Sequence, residues 1–343
     1  MEQERKIRVA ITHGDTNGIG YELILKAFEN PAMLELCTPI IYGAPKLAAY
    51  HRKALELDTP FVSINNAEDA QDGKLNMLTT FEDEVKVELG QSTEESAEAA
   101  RKAVQRAKED LQKHLYDVLV MSPVKANPNP AREDRALLVM ISDVVRIGLV
   151  TNHLPLKDVP KAITTEKIVD KCRIFNTSLK RDFRINNPRI AVLALNPQIG
   201  TEENEVILPA IETLENEGVQ AFGPYVADSF FGENMYEQFD GVLAMYDDQG
   251  SVPFKTLSTE YGVKMKAGIT AICTTPDLEP SFDIAGKGIA NEQSLRQAVY
   301  LAIDIFRHRE EYDKPLANPL PKLYHEKREE GEKVRFFPKT KDE

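Results

Sequence analysis

The chain has 343 residues, with 42 Lys and Arg against 55 Asp and Glu and a formal charge of −13. At roughly 100–200 residues per domain it holds about two domains, and its acidity argues against a nucleic-acid partner. Cys37, Cys172 and Cys273 are far apart with no Cys-x-x-Cys pair, so neither a disulfide framework nor a cysteine zinc site is indicated, and a reducing cytoplasm is expected. No apolar stretch approaches the ~18 residues a membrane span needs, and the opening MEQERKIRVAIT runs from charge straight into a strand, so neither membrane insertion nor secretion is expected.

Short β-rich runs alternate with helical patterns, which predicts a layered α/β protein whose strands are joined by crossover helices. A strand is predicted at 6–12, a helix at 21–29, and strands at 39–42, 85–89 and 117–121. Between the last two lies a helix over 93–114. Ser92 or Thr93 can cap it, and glutamates precede lysines and arginines along it, matching the macrodipole. Ala97, Ala100, Val104, Ala107 and Leu111 recur at helical spacing and predict a buried face. The proline-rich crossing SPVKANPNPARED at 122–134 marks a domain boundary. Beyond it come strands at 144–151, 189–195, 219–222, 241–245 and 270–274, with helices at 165–179, 204–216 and 293–311.

Four segments could carry chemistry. The turn at 12–22, with Gly14, Asp15, Asn17 and Gly18, leaves a strand and enters a helix. Its backbone N–H groups suit an anion at a helix N-terminus, or it is a structural tight turn. Asp283-Ile284-Ala285-Gly286-Lys287-Gly288 offers a second anion geometry with a lysine for charge, or a turn with a solvated lysine. Tyr246-Asp247-Asp248-Gln249-Gly250 follows a strand directly, at the carboxyl end where open α/β sheets bind ligands. His153, in Thr151-Asn152-His153-Leu154-Pro155, is a candidate metal ligand or a hydrogen-bonded structural histidine. No Ser-His-Asp order, His-x-x-x-His pair or G-x-S-x-G elbow supports a hydrolase.

Together these segments resemble the 4-hydroxythreonine-4-phosphate dehydrogenases of the pyridoxal phosphate pathway. The resemblance runs through ITHGDTNGIGYELILKAF, LVTNHLPLKDVPKAIT, RIAVLALNP, FDGVLAMYDDQGSVPFK and FDIAGKGIANEQSLRQAVYLAIDIFR in order. It implies two α/β/α layered domains with a cleft between them, like isocitrate and isopropylmalate dehydrogenases. Residues 1–124 plus 286–343 would form the first domain, completed by C-terminal helices, and 125–285 the second. The resemblance further implies a homodimer, NAD or NADP as cofactor, a small phosphorylated substrate oxidised with decarboxylation, and a divalent metal held by histidines from both subunits. That metal would polarise the alcohol oxygen.

The chain departs from the family pattern where that chemistry would sit. Of three metal histidines only His153 remains; Gln198 and Asp247 stand at the other two positions. A neutral amide is a poor ligand for zinc, so His153 and Asp247, with Asp248 nearby, should hold a metal weakly. The family's Gly-His-Thr-Glu substrate loop has no counterpart before Val139, Lys264 replaces an asparagine, Cys273 an arginine, and Leu278-Glu279-Pro280 a His-Gly-Thr segment. Losing the arginine removes a bidentate anion partner. Asp248 and Lys255 remain as candidate catalytic residues, and Gly286, Lys287 and Gly288 as cofactor residues. The expectation is a family member whose reaction is lost or strongly impaired, a pseudoenzyme. The alternative is an active dehydrogenase of the same pathway, or of a related phosphorylated hydroxy acid, with an altered metal site. A third reading is an enzyme with a changed substrate built on His153, Asp248, Lys255 and Lys287.

Overall fold

The computed structural model describes residues 5–81, 85–124, 136–258 and 261–318. Most of the crossing at 122–134 therefore lies outside the described residues. The elements in chain order are β1 (Arg8–Thr12), α1 (Gly20–Ala27), α2 (Ala32–Leu36), β2 (Thr38–Gly43), α3 (Pro45–Ala54), β3 (Val62–Ile64), β4 (Asn76–Thr79), α4 (Glu94–Gln112) and β5 (Val118–Met121). There follow β6 (Leu137–Ile141), β7 (Arg146–Leu149), α5 (Val159–Ala162), α6 (Thr165–Arg181), β8 (Arg189–Leu193), α7 (Leu208–Asn216), β9 (Gln220–Tyr225), α8 (Ala227–Gly232), β10 (Gly241–Ala244), α9 (Asp247–Leu257), β11 (Val263–Ala267), β12 (Cys273–Pro276) and α10 (Gln293–Ala317).

The strands form one sheet in the order β3-β4-β2-β1-β5-β12-β11-β6-β7-β10-β8-β9. Pairing is parallel except around β11, which runs antiparallel to β12 and β6, and between β6 and β7. Strands such as β2, buried along its whole length, carry the near-continuous apolar runs that a sheet covered on both faces requires. α4 starts as the capping pattern dictates: Thr93 accepts from the Ser96 N–H at 3.2 Å, and the Ser96 hydroxyl accepts from the Thr93 N–H at 3.3 Å.

Side-chain alternation along the strands divides the core. On one face a single apolar cluster spans the sheet, from Val9 and Ile11 through Val118, Val120, Val263 and Met265 to Ile190 and Val192, with α1, α6 and α10 packed on it. On the other face the cover is split. Ala10, Ile40, Tyr42 and Leu119 pack under Ala103 and Ala107 of α4, while Met140, Ile147, Leu149 and Val242 pack with Phe254 of α9 and Phe230 of α8. Between these two covers lies a half-buried strip carrying Cys273 and Thr275 of β12 and Lys264 and Lys266 of β11. This strip floors the cleft between the two covers.

α10 packs on β12, β5, β11, α1 and α6 and so touches strands of both sequence halves. Arg309 on α10 pairs with Asp182 at 2.6 Å and donates to the carbonyls of Ile269 and Thr270, tying α10 to the end of α6 and to the β11–β12 turn.

Two parts of the sequence reading change. Residues 85–89 are irregular rather than a strand, and the Glu88 N–H bonds the Asn17 side chain instead of a neighbouring strand. The strand expected at 270–274 sits at Cys273–Pro276, because 268–272 form the turn out of β11.

Candidate active site

The carboxyl ends of β7, β8 and β10 bring three of the sequence motifs together. Thr151 donates its hydroxyl to the Met245 carbonyl at 2.7 Å, locking the exit of β7 onto the exit of β10. His153 then takes a left-handed backbone with φ 53°. Its N–H donates to Asp247 Oδ2 at 2.8 Å, and its Nδ1 lies 3.3 Å from the same oxygen. Ser251 donates to Asp247 Oδ1 at 3.1 Å. Asp247 opens α9, where the helix N-terminus favours a negative charge. Gln249 is structural: its Nε2 donates to the Ala194 carbonyl at 2.6 Å and its Oε1 accepts from the Met245 N–H at 2.8 Å, stitching β8 to β10. Asp248 and Lys255 are exposed on α9.

The loop after β8 is organised by a residue that the sequence reading missed. Glu203 is fully buried. Its Oε1 accepts the N–H groups of Leu195 at 3.0 Å and Asn196 at 2.8 Å, and its Oε2 that of Gly200 at 2.8 Å. Burial pushes the carboxyl up, but the Asn196 and Gly200 donors outweigh it and hold it below the usual carboxylate range. Gln198, at the tip of this loop, is exposed. Nothing in the spacing of TEENEV distinguished Glu203 from its acidic neighbours.

On the cleft floor Lys264 pairs with Asp277 at 2.6 Å. Residues 278–280 reach the N-terminal turn, where the Ile19 N–H donates to the Pro280 carbonyl at 3.1 Å. A Cβ on Gly18 would stand 2.8 Å from that same carbonyl oxygen, so the close approach requires glycine.

In the turn itself Gly14, Asp15, Asn17 and Gly18 are all buried. Asp15 accepts from the Asn17 N–H and from the Ser96 hydroxyl. Asn17 donates to the Gln91 carbonyl and to Thr93 Oγ1 and accepts from the Glu88 N–H. His13 stacks on Tyr21 with ring centroids 5.2 Å apart, and Tyr21 stacks on His51 at 5.0 Å. Burial lowers both imidazoles to about 4.

The 286–288 turn stands on α1. Lys26 pairs with Glu22 at 2.8 Å and donates to the carbonyls of Gly288 and Ala290, while Glu22 accepts the Ala290 N–H at 2.9 Å. Gly286 and Gly288 have positive φ, and Lys287 and Gly288 are exposed.

Among the described residues no three His, Cys, Asp or Glu side chains gather as a metal site. His153 and Asp247 supply one imidazole and one carboxylate, with Nδ1 and Oδ2 standing 3.3 Å apart, which does not fit the three protein ligands of a catalytic zinc centre. Among the described residues no helix is long and apolar enough to cross a membrane.

Comparison with known proteins agrees with the α/β fold. Residues 35–302 match the family described as pyridoxal phosphate biosynthetic protein PdxA. The chain is 44% identical to a 4-hydroxythreonine-4-phosphate dehydrogenase of Bacteroides thetaiotaomicron, over 97% of this chain and 98% of that protein. It is 34% identical to one from a Sulfurihydrogenibium species, over 88% and 99%. The crystal structure of a 4-hydroxythreonine-4-phosphate dehydrogenase from Burkholderia phymatum superposes with a TM-score of 0.70 at 26% identity, covering 88% of this chain and 99% of that one. The chain belongs to the PdxA family of pyridoxal phosphate biosynthetic proteins.

Proposed function

We propose that the chain is an NAD(P)-dependent dehydrogenase acting on 4-hydroxythreonine 4-phosphate, or on a related small phosphorylated hydroxy acid, with an altered metal site. The observation that carries this reading is the 44% identity to a 4-hydroxythreonine-4-phosphate dehydrogenase along nearly the full length of both proteins. It weighs toward a working enzyme and against the expectation of a lost reaction.

In this reading the substrate lies over the strip of Lys264, Lys266, Cys273 and Thr275, where lysines in place of the arginine offer charge to a phosphate without a bidentate fork. Asp248 and Lys255 are assigned to substrate contacts, supported by their exposure on the helix that Asp247 opens. Gly286, Lys287 and Gly288 are assigned to the cofactor phosphates. Two glycines with positive φ, an exposed lysine and open space around Gly288, whose Cβ would meet nothing nearer than 3.9 Å, support that fit. The bound nicotinamide would accept the hydride. Gly14, Asp15, Asn17 and Gly18 are assigned to supporting the cleft wall. The reading includes a homodimer in the cytoplasm, each chain having 1–124 plus 286–343 as one lobe and 125–285 as the other.

A second reading, loss of the family reaction, is favoured by the Lys264–Asp277 pair, which neutralises a cation at a substrate position. The two are separated by incubating the protein with the phosphorylated hydroxy amino acid and NAD or NADP and following reduced nicotinamide. Its formation supports the first reading. Its absence, with NAD still raising the melting temperature, supports the second.

A further inference from the structure

We propose that Asp247 serves as the orienting partner of His153 instead of as a metal ligand, so that this centre takes up no divalent metal. The inference rests on reading this cleft as the dehydrogenase site.

The geometry at Asp247 carries it. A histidine that binds a catalytic metal commonly turns its second ring nitrogen to a carboxylate, which fixes the ring without touching the ion. Asp247 Oδ2 stands in that outer position: it is 3.3 Å from His153 Nδ1 and also accepts the His153 N–H at 2.8 Å. The second bond holds the residue in its left-handed backbone, an uncommon conformation for a side chain other than glycine. The other oxygen accepts from Ser251. Asp247 is therefore spent on shaping the turn, and His153 Nε2 is left as a single nitrogen donor.

Within one chain the neighbours do not complete a set, and a second copy of the chain would bring only the same Gln198 and Asp247 to the two remaining ligand positions. Asp248 follows Asp247 on the same helix, and adjacent helical residues point about 100° apart, so the two carboxylates diverge. Gln198 offers a neutral amide on an exposed loop, and the buried acid of that loop, Glu203, has its oxygens filled by backbone donors. The α9 N-terminus adds a partial positive charge that opposes a cation.

The test reads metal directly. The full chain is purified without chelator, its zinc, manganese and magnesium are measured by mass spectrometry, and zinc is then titrated while the melting temperature is followed. Expected is far less than one metal per chain and no rise in melting temperature at micromolar zinc. The double variant Q198H/D247H, which adds two imidazoles, is expected to gain a zinc-dependent rise. Stoichiometric zinc in the unaltered protein that survives dialysis against EDTA overturns the proposal. A metal-free double variant overturns the donor-count explanation on which it stands. A metal-free protein that forms reduced nicotinamide supports this proposal and the functional reading together; a metal-free protein that forms none sinks only the functional reading, and a zinc-loaded active one sinks only this proposal.

Discussion

Lys264 Nζ lies 2.6 Å from Asp277 Oδ1, and the Asp277 side chain is only 6% exposed while that of Lys264 is 31% exposed. The lysine on the cleft floor is thus held by the strand-end acid beside it, and the acid depends on the lysine for its only ion pair among the described residues.

Replacing Lys264 with Met leaves a nearly buried carboxylate without its cation. Because the lysine is partly solvated, the expected loss is about 1–2 kcal/mol rather than the larger cost of breaking a fully buried pair. Urea unfolding of K264M checks it, and K264M/D277N should recover most of the loss.

Glu203→Gln is expected to cost about 2–3 kcal/mol. An amide turns an N–H toward one of the backbone donors of Leu195, Asn196 or Gly200 and leaves it unpaired. The carboxyl is held below its usual range, so its contribution is present above the ordinary glutamate range and is lost as pH falls through the lower folded value. The stability gap between the two proteins should therefore narrow in acid. A gap that is constant with pH would contradict the carboxylate's role.

His13 and His51 work in the opposite sense. Both are lowered to about 4 by burial, against about 6.5 in an unfolded chain. Between those values the unfolded chain binds protons that the folded one refuses, so stability falls as pH drops from about 6.5 toward 4, by at most about 1.4 kcal/mol per pH unit for each ring. His13→Phe keeps the stack on Tyr21 and removes one titrating group. It should flatten part of the slope in melting temperature against pH.

Asn17→Ala removes one acceptor and two donors that the buried turn spends on Glu88, Gln91 and Thr93. Expected is a stability loss of about 2–4 kcal/mol, measured by denaturant unfolding. A variant of unchanged stability but weakened affinity for a phosphorylated ligand would return this turn to the anion-site reading.

The layered α/β architecture was legible because buried parallel strands are written as apolar runs: Val9-Ala10-Ile11, Ile40-Ile41 and Val242-Leu243-Ala244 all stand in the sheet. β11 escaped because VKMKA alternates, with lysines on the cleft side, and reads as too polar for a central strand. α9 escaped because its Gly250 and Pro253 read as turn chemistry, although Gly250 sits where a Cβ would meet Leu149 at 2.6 Å and Pro253 lies in the first two turns. Within the site, His153 and Asp247 were joined only through the family resemblance; the structure supplies the reason for their nearness, since each follows a strand and β7 and β10 are neighbours. That Asp247 would bond the His153 backbone, and that Glu203 would fill the loop after β8, depends on local backbone geometry that no spacing rule encodes.

The most direct measurement is the formation of reduced nicotinamide from 4-hydroxythreonine 4-phosphate and NAD or NADP, run with and without EDTA. Expected is nicotinamide accumulating above the protein-free background at a rate that EDTA leaves unchanged. No accumulation with either cofactor, under conditions where the Bacteroides thetaiotaomicron relative turns over, would contradict the dehydrogenase reading.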